Sequence, residues 1–248
     1  MYLSGSIPFM IVDIFIPCYI DQVYPETAIN MVRVLERVGC GVNYNPEQTC
    51  CGLPAFHNGF RDHCKEVGEK FIREFQNERY IVSPGGSCVS MVKNYYPDMF
   101  HNSVLHNEYK SVQKHMYEFS EFLVKVMNAS DVGAKLEGTA TFLDNCTALR
   151  ECGIHESPRL LLSKVKGLRM VEMEDGGMCC GFGDTFANKF EEIAVKLAEK
   201  KVAHAMDAGA EIIISTDMGC LMHLEGYIRK NNIPVRVMHI ADVLASGH

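Results

Sequence analysis

The sequence predicts an α/β fold built from two similar Rossmann-like halves. Short β-branched apolar runs alternate with amphipathic helical stretches along the 248 residues, a pattern typical of parallel-rich sheets flanked by helices. The order of strand, helix and cysteine-bearing loop then occurs a second time, and such duplication predicts a pseudo-symmetric architecture. We place the halves at Met10 to Val132 and Gly133 to His248, with the cysteine-bearing ends of their strands facing a shared crevice.

The first half opens with a buried strand, MIVDIFIP, that ends at a cysteine. The short strand VNY follows a first helix, and the strand YIVSPGGS follows a second. The segment PEQTCCGLPAFHNGF is rich in Pro, Gly and Asn, which predicts a loop without regular structure. The first nine residues, which precede Met10, are either native or an added segment and carry no prediction. Helical periodicity covers Pro25 to Val38, Arg61 to Phe75 and His115 to Met127.

The second half follows a linker, NASDVGAKLEG, and repeats this order. The strand TATFLDNC ends at a cysteine, the strand LRMVEM leads into the loop EDGGMCCGFGD, and the strand EIIISTD runs into a helix that carries another cysteine. The strand VRVMHI and the short helix ADVLA close the chain. A helix is predicted near Ser157 to Lys164, and a long helix over Asn188 to Ala208.

Eight of the eleven cysteines form two sets with nearly equal spacing. In the first set 31 residues separate the first cysteine from the Cys-Cys pair, and 36 separate the pair from the last cysteine. In the second set the corresponding numbers are 32 and 39. Carboxyl ends of neighbouring parallel strands present their groups at one edge of a sheet, so each set is predicted to converge. The first quartet is Cys18, Cys50, Cys51 and Cys88, and the second quartet is Cys146, Cys179, Cys180 and Cys220.

Two thiol quartets are compatible with disulfides, zinc sites or iron–sulfur clusters. The odd cysteine count and the absence of a signal-peptide pattern favour a reducing cytoplasm, where disulfides are rare. Adjacent cysteines are awkward ligands for one zinc ion, whereas neighbouring ligands can bind different irons of a cluster. Gly52 and Gly181 follow the pairs and would let backbone N–H groups approach the sulfur atoms. The second site stays open to zinc, which would make that half structural.

The motifs resemble those of a known family. A cysteine, a Cys-Cys-Gly motif and a further cysteine, present twice, resemble the cysteine-rich CCG-domain proteins, which include the cysteine-rich subunit of heterodisulfide reductase. From Met10 to Ala245 the chain is similar to the lactate utilization protein A branch of that family. The segments that carry the resemblance are TCCGLPAFHNGF, IVSPGGSCVSMV, CCGFGDTFANK, DMGCLMHLEGYI and VRVMHIADVL.

The resemblance implies an iron–sulfur electron-transfer subunit, with 4Fe-4S clusters, in a multi-protein system that oxidises L-lactate to pyruvate. It implies two partner subunits, one of them a ferredoxin-type iron–sulfur protein, and a cytoplasmic location with contact to the inner membrane only through those partners. No base and hydride-acceptor pair and no dinucleotide-binding motif is evident, so the catalytic residues are unknown and this chain is not expected to oxidise lactate alone.

At both quartets the chain departs from the heterodisulfide reductase pattern. There each set ends in Cys-x-x-Cys, and five cysteines hold a non-cubane double cluster. Here Met91 and His223 stand where the fifth cysteines would be, so four-cysteine clusters are the simpler inference. His223 is an extra candidate ligand, although packing explains it better. A heterodisulfide-type thiol/disulfide reductase and a zinc-stabilised scaffold without redox activity are the alternative functions.

The remaining candidates and the charge pattern add little. Cys40 and Cys64 are predicted to pack in the core, and Cys152, in a predicted loop, is a weak alternative ligand. His57, in the loop after the first pair, is a candidate for donating to a cluster sulfur or for proton transfer, although most loop histidines do neither. A net charge of −7 without a basic cluster argues against nucleic-acid binding, and no apolar run is long enough to span a membrane.

Overall fold

The computed structural model describes residues 10–247, so the nature of the first nine residues lies outside it. The first half contains a four-stranded sheet whose strands are β1 (Met10–Ile14), β2 (Cys40–Tyr44), β3 (Ile81–Ser83) and β4 (Met116–Glu118). All neighbouring pairs are parallel, and the order across the sheet is β2-β1-β3-β4. Parallel strands need crossover helices, which cover the sheet and bury it.

The helices of the first half follow the strands in alternation. The second helix has proline in its first turn and an apolar face that buries Met31, Val34 and Leu35, and both features favour a helix there. Two π-helical turns, at Met91–Tyr95 and Phe122–Val126, interrupt the later part. The helices are α1 (Cys18–Val23), α2 (Pro25–Arg37), α3 (Leu53–His57), α4 (Arg61–Phe75), α5 (Gly86–Ser90), α6 (Tyr96–Phe100), α7 (His106–His115) and α8 (Phe119–Glu121).

The second half repeats this plan. Its sheet is again fully parallel, and its strand order, β6-β5-β7-β8, matches that of the first sheet. The strands are β5 (Lys135–Phe142), β6 (Lys166–Met170), β7 (Ile212–Ser215) and β8 (Arg236–His239). The helices are α9 (Cys146–Cys152), α10 (Glu156–Leu162), α11 (Phe186–Lys189), α12 (Glu191–Asp207), α13 (Met218–Lys230) and α14 (Ile240–Ala245).

The predicted fold of two similar, parallel-rich α/β halves is therefore confirmed. One continuous apolar core joins the halves, because Ile14 of β1 and Phe142 of β5 belong to the same buried cluster. Helix α2 packs against α14 across the interface, where Arg37 donates hydrogen bonds to the carbonyl oxygens of Val132, at the end of the first half, and Leu244, in the second. The division at Val132 and Gly133 stays a prediction. Along residues 10–247, no helix is long and apolar enough to cross a membrane.

Several local predictions were wrong. The stretch over His115 to Met127, predicted as one amphipathic helix, begins with β4 and continues as α8 and a π-helical turn. The loop after the Cys-Cys pair contains α3, which the Pro, Gly and Asn content concealed. The predicted linker ends earlier, because β5 begins at Lys135, and α7 and α9 were not predicted. Apart from α7, which has ten residues, the missed elements are short, and a short element gives too few turns to show a period.

Candidate metal centre

The cysteines of each quartet come from three equivalent positions at the carboxyl end of a parallel sheet. Cys18 and Cys146 are the first residues of α1 and α9, just beyond β1 and β5. Cys88 and Cys220 lie in the first turns of α5 and α13, beyond β3 and β7. The adjacent pairs lie in the loops that follow β2 and β6. Helix N-termini carry free N–H groups and a partial positive charge, so this edge favours anionic sulfur.

Within each quartet the thiols form a continuous chain of contacts. Cys50 contacts Cys18 and Cys51, and Cys51 also contacts Cys88. The second quartet repeats the chain in the order Cys146, Cys179, Cys180 and Cys220.

Both quartets line one cavity between the two halves. The structure therefore brings together all eight cysteines that the sequence singled out. In the part of the chain that the structure describes, no group of three or more His, Cys, Asp or Glu side chains is arranged to hold a single metal ion.

Gly52 and Gly181 hold the same position after the two Cys-Cys pairs. Their φ angles are 91° and 94°, in the left-handed region that favours glycine. The N–H of Gly52 donates to Cys50 Sγ at 3.3 Å, and that of Gly181 donates to Cys179 Sγ at 3.4 Å. Each glycine also packs against a following helix, and a Cβ on Gly181 would lie 2.8 Å from the carbonyl oxygen of Ala194. The glycines thus supply both the turn and an N–H donor to sulfur.

Mutual contact and burial decide the protonation of the thiols. Hydrogen bonds from Cys18 and Cys51, and N–H donation from the backbone, lower the pKa of Cys50 to about 3. The contact with Cys50 and burial raise the pKa of Cys18, and the contact with Cys179 and burial raise that of Cys146. Groups that hold their protons in this way release them when a cation binds, which is the behaviour of thiol metal ligands.

Two polar side chains of the second half that the sequence did not single out, Asp217 and Asn145, also line the cavity. Asp217, at the N-cap of α13, accepts hydrogen bonds from Ser87 Oγ at 2.7 Å and from the N–H of Cys220 at 3.3 Å. Asn145, at the N-cap of α9, donates to Cys220 Sγ at 3.5 Å. An acidic or amide residue before a helix is a common cap, so no signal in the sequence marks these two as lining a site.

His57 lies at the mouth of the cavity. Its Nδ1 is 2.9 Å from Asp184 Oδ2, so a polar contact joins the first half to the second there. The position fits its candidacy for proton transfer, since a partly exposed imidazole beside a carboxylate can exchange protons with solvent. The role itself stays a prediction.

His223 does not line the cavity. Its Nε2 lies 3.1 Å from the carbonyl oxygen of Ala194, and its ring faces a separate groove between α12 and α13. Phe182 stands between the groove and the cavity, since it lines both. Met91, at the corresponding place in the first half, is fully buried in the core. These positions support packing roles for both residues.

The three remaining cysteines also lie outside the cavity lining. Cys40 and Cys64 are buried in the core, as the sequence predicted. Cys152 is the last residue of α9, so its predicted place in a loop was wrong. Asn94 donates to its sulfur at 3.8 Å.

The donor set fits an iron–sulfur group. Each quartet offers four sulfur ligands in a chain of contacts, adjacent cysteines that can bind different irons, and a backbone N–H that donates to sulfur. Soft thiolates select such groups. All eleven cysteines are free thiols, so no disulfide competes for the ligands.

Comparisons with known proteins agree with this site. The model of the cysteine-rich CCG domain matches residues 12–93 and 140–225, so each match contains one quartet. Lactate utilization protein A of Geobacillus kaustophilus (strain HTA426) is 40% identical over 236 residues, which cover 95% of this chain and 98% of that protein. Lactate utilization protein A of Halalkalibacterium halodurans is 38% identical over 95% of this chain and 96% of that protein.

Among solved structures, a hypothetical protein from Helicobacter pylori has the same fold, with a TM-score of 0.60 and 12% identity over 97% of this chain. The match spans 50% of that longer chain. The two domain matches, and the 40% identity over 95% of the chain, show that this chain belongs to the lactate utilization protein A family of cysteine-rich CCG-domain proteins.

Proposed function

We propose that each quartet binds one iron–sulfur cluster, with four thiolate ligands per cluster and 4Fe-4S as the simplest composition. The observation that carries the proposal is the pair of thiol chains lining one cavity at the carboxyl edges of two parallel sheets. Duplicated metal sites of one composition are the expected product of duplicated halves. The ligands would be Cys18, Cys50, Cys51 and Cys88 for one cluster and Cys146, Cys179, Cys180 and Cys220 for the other.

We infer that the protein is an electron-transfer subunit of a multi-protein system that oxidises L-lactate to pyruvate. The names of its relatives support a role in lactate utilization. When bound, such clusters exchange single electrons. The chain would therefore relay electrons, while one of its partners would remove them from lactate; a ferredoxin-type iron–sulfur protein and a third subunit are the proposed partners.

The residues around the quartets serve this role in three ways. The N–H groups of Gly52 and Gly181 donate to Cys50 Sγ and Cys179 Sγ, and the first and last cysteines of each quartet lie at helix starts, where the partial positive charge stabilises an anionic centre. Apolar groups such as Pro17, Leu53 and Phe182 line the cavity and limit the access of water. We place the protein in the cytoplasm, with membrane contact through partners alone, because thiolate ligands of an iron–sulfur cluster suit a reducing compartment.

Anaerobic purification followed by iron, sulfide and zinc analysis tests the proposal. Brown protein with roughly eight irons per chain, bleached by dithionite, supports two four-iron clusters. Colourless protein that holds only zinc contradicts the relay and supports the zinc-stabilised scaffold. Reduction of a disulfide substrate by the loaded protein would support the reductase alternative.

Single substitutions test the assignment of ligands. Cys51→Ser should halve the iron content, because the first quartet loses a ligand shared along the thiol chain. Cys180→Ser should do the same for the second quartet. Cys152→Ser is the matched control, since its thiol lies outside the cavity and its loss should leave the iron content unchanged. Full iron content in Cys51→Ser would refute the assignment.

A further inference from the structure

The two quartets have equivalent ligands but different surroundings. Equivalent positions are defined by the helices: α1 and α9 both begin with a quartet cysteine, and α4 and α12 both pack against the glycine after a Cys-Cys pair. At three of these positions the residue near the second quartet is a hydrogen-bond donor or a cation. Its counterpart near the first quartet is uncharged and, within the described part of the chain, does not bond to the cysteine loop. The pairs are Pro17 and Asn145, Gln22 and Arg150, and Phe71 and Lys201.

Asn145 is the first difference. Its Nδ2 donates to Cys220 Sγ at 3.5 Å, and its Oδ1 accepts from the N–H of Ala148 at 2.7 Å as the cap of α9. Pro17, at the N-cap of α1, has no side-chain donor and cannot make the corresponding bond to Cys88. A hydrogen bond to a ligand sulfur stabilises the more negative, reduced state of a cluster.

Lys201 is the second difference. Its side chain is fully buried, and its Nζ donates to the carbonyl oxygens of Asp175 and Gly176, in the loop that leads to Cys179. Burial lowers the pKa of this amine, while the charges of Asp175 and Cys180 counteract the effect. Phe71, its counterpart on α4, is an apolar core residue. Because the interior screens charge weakly, a buried ammonium acts strongly on a nearby cluster.

Arg150 is the third difference, and it holds the same loop. Its guanidinium donates to the carbonyl oxygen of Gly177 at 3.0 Å, and its charge acts on Cys146. Gln22, its counterpart on α1, is neutral and bonds to Asp21. Lys70 also reaches the loop before Cys50, but this side chain is 43% exposed and paired with Glu74. Water and that carboxylate screen the charge of Lys70.

The carboxylates strengthen the asymmetry. Asp217 acts on both Cys88 and Cys220, so it does not distinguish the quartets. The negative charge of Asp184 acts on Cys88 of the first quartet. Asp144, beside the second quartet, is neutralised by Arg159, whose two terminal nitrogens lie 2.8 and 2.9 Å from its oxygens.

We propose that Asn145, Lys201 and Arg150 give the cluster of the second quartet the higher reduction potential, so that electrons enter at the first quartet and move to the second. In that step one electron leaves the first-quartet cluster, which is oxidised, and reduces the second-quartet cluster; no bond or proton changes place. The inference rests on the proposed iron–sulfur function. Asn145 and the two cations act as positioning residues, through hydrogen bonding and charge.

A dithionite titration followed by electron paramagnetic resonance tests the order of potentials. Cys51→Ser and Cys180→Ser, each with one cluster, assign the two signals. The second-quartet cluster should be reduced first, and equal or reversed potentials overturn the proposal. Protein without iron would instead contradict the proposed function itself, so the two failures are distinguishable. Zinc in the second quartet beside iron in the first also overturns the order.

Asn145→Asp sharpens the test, because the carboxylate keeps the helix cap and loses the donor to Cys220. The reduction potential of its second-quartet cluster should fall by at least about 59 mV, which is a tenfold change in the one-electron equilibrium constant. Lys201→Met should shift the same potential in the same direction. The first-quartet potential, read in the same sample, is the internal control. Unchanged second-quartet potentials in both variants would refute the role of these side chains.

Discussion

The two halves agree where the chain turns toward the cavity and differ in the polar residues buried behind it. Both sheets have the same strand order, both Cys-Cys pairs are followed by a left-handed glycine, and both carry cysteines at equivalent helix starts. Yet Asp13 in β1 corresponds to Thr141 in β5, and Glu118 at the end of β4 corresponds to His239 at the end of β8. The duplication thus preserves the geometry of the ligands, while the surrounding charges have diverged.

The largest expected effect lies where the halves agree in sequence but differ in packing. In Gly181→Ala the new Cβ would lie 2.8 Å from the carbonyl oxygen of Ala194, whereas in Gly52→Ala it would lie 3.1 Å from the Cys64 side chain. Left-handed strain costs roughly 1–3 kcal/mol at either site, and overpacking against fixed backbone adds about 1–3 kcal/mol in the second half. Urea unfolding should show a larger loss for Gly181→Ala. Equal losses would show that α12 yields as readily as α4.

Asp13 tests the polar difference between the first strands. Its buried carboxylate accepts hydrogen bonds from Asn43 of β2, from Asn77 and from Arg79 Nε at 2.9 Å, and together these tie β1 to β2 and to the segment before β3. Asp13→Asn should lower the free energy of unfolding by roughly 3 kcal/mol, because charged acceptors contribute about 1.5–3 kcal/mol per hydrogen bond and the amide retains part of them. Asp21→Asn, on an exposed site of α1, is the control and should change little. A loss below that of the control would contradict the network.

Glu118 and His239 predict opposite pH responses in the two halves. Each caps the helix after the fourth strand, and each is fully buried. Burial raises the pKa of Glu118 from 4.5 to about 7, so the folded state holds a proton that the unfolded state has released. Stability contributed by this group is therefore present below pH 4.5 and is lost as the pH rises to about 7. Burial lowers the pKa of His239, so through this group the folded protein loses stability as the pH falls below 6.5.

Glu118→Gln should abolish the first response. We expect the wild-type protein to lose roughly 2–3 kcal/mol of unfolding free energy between pH 4.5 and 7 through this group, and the variant to lose less, because its amide never ionises. Unfolding by urea at several pH values in one buffer series measures the difference. Glu66→Gln, at an exposed position of α4, is the control. Parallel pH profiles for wild type and Glu118→Gln would show that Glu118 ionises freely in the fold.

The sequence predicted the features that depend on local pattern. Helix α4 begins and ends at Arg61 and Phe75 as predicted, because its apolar spacing spans four turns. The quartets were found from spacing alone, since duplicated strands deliver their ends to one edge. The contacts of Asn145 with Cys220 and of Lys201 with the loop before Cys179 join residues far apart in the chain, so no local period marks them. Residue type and spacing therefore predict the ligands, but not the charges that surround them.

The smallest expected effect concerns Thr141, the counterpart of Asp13. Its hydroxyl is buried and has no hydrogen-bond partner among residues 10–247, whereas Asp13 has three donors around it. A buried hydroxyl without a partner costs about 1 kcal/mol or more, so Thr141→Val should raise the free energy of unfolding by about 1 kcal/mol. Thr139→Val in the same strand is the matched control, because Arg169 donates to that hydroxyl and its removal should bring no gain. Urea unfolding of both variants decides the matter: a loss in Thr141→Val would mean that its hydroxyl has a partner, and the polar contrast between β1 and β5 would then be smaller than the structure indicates.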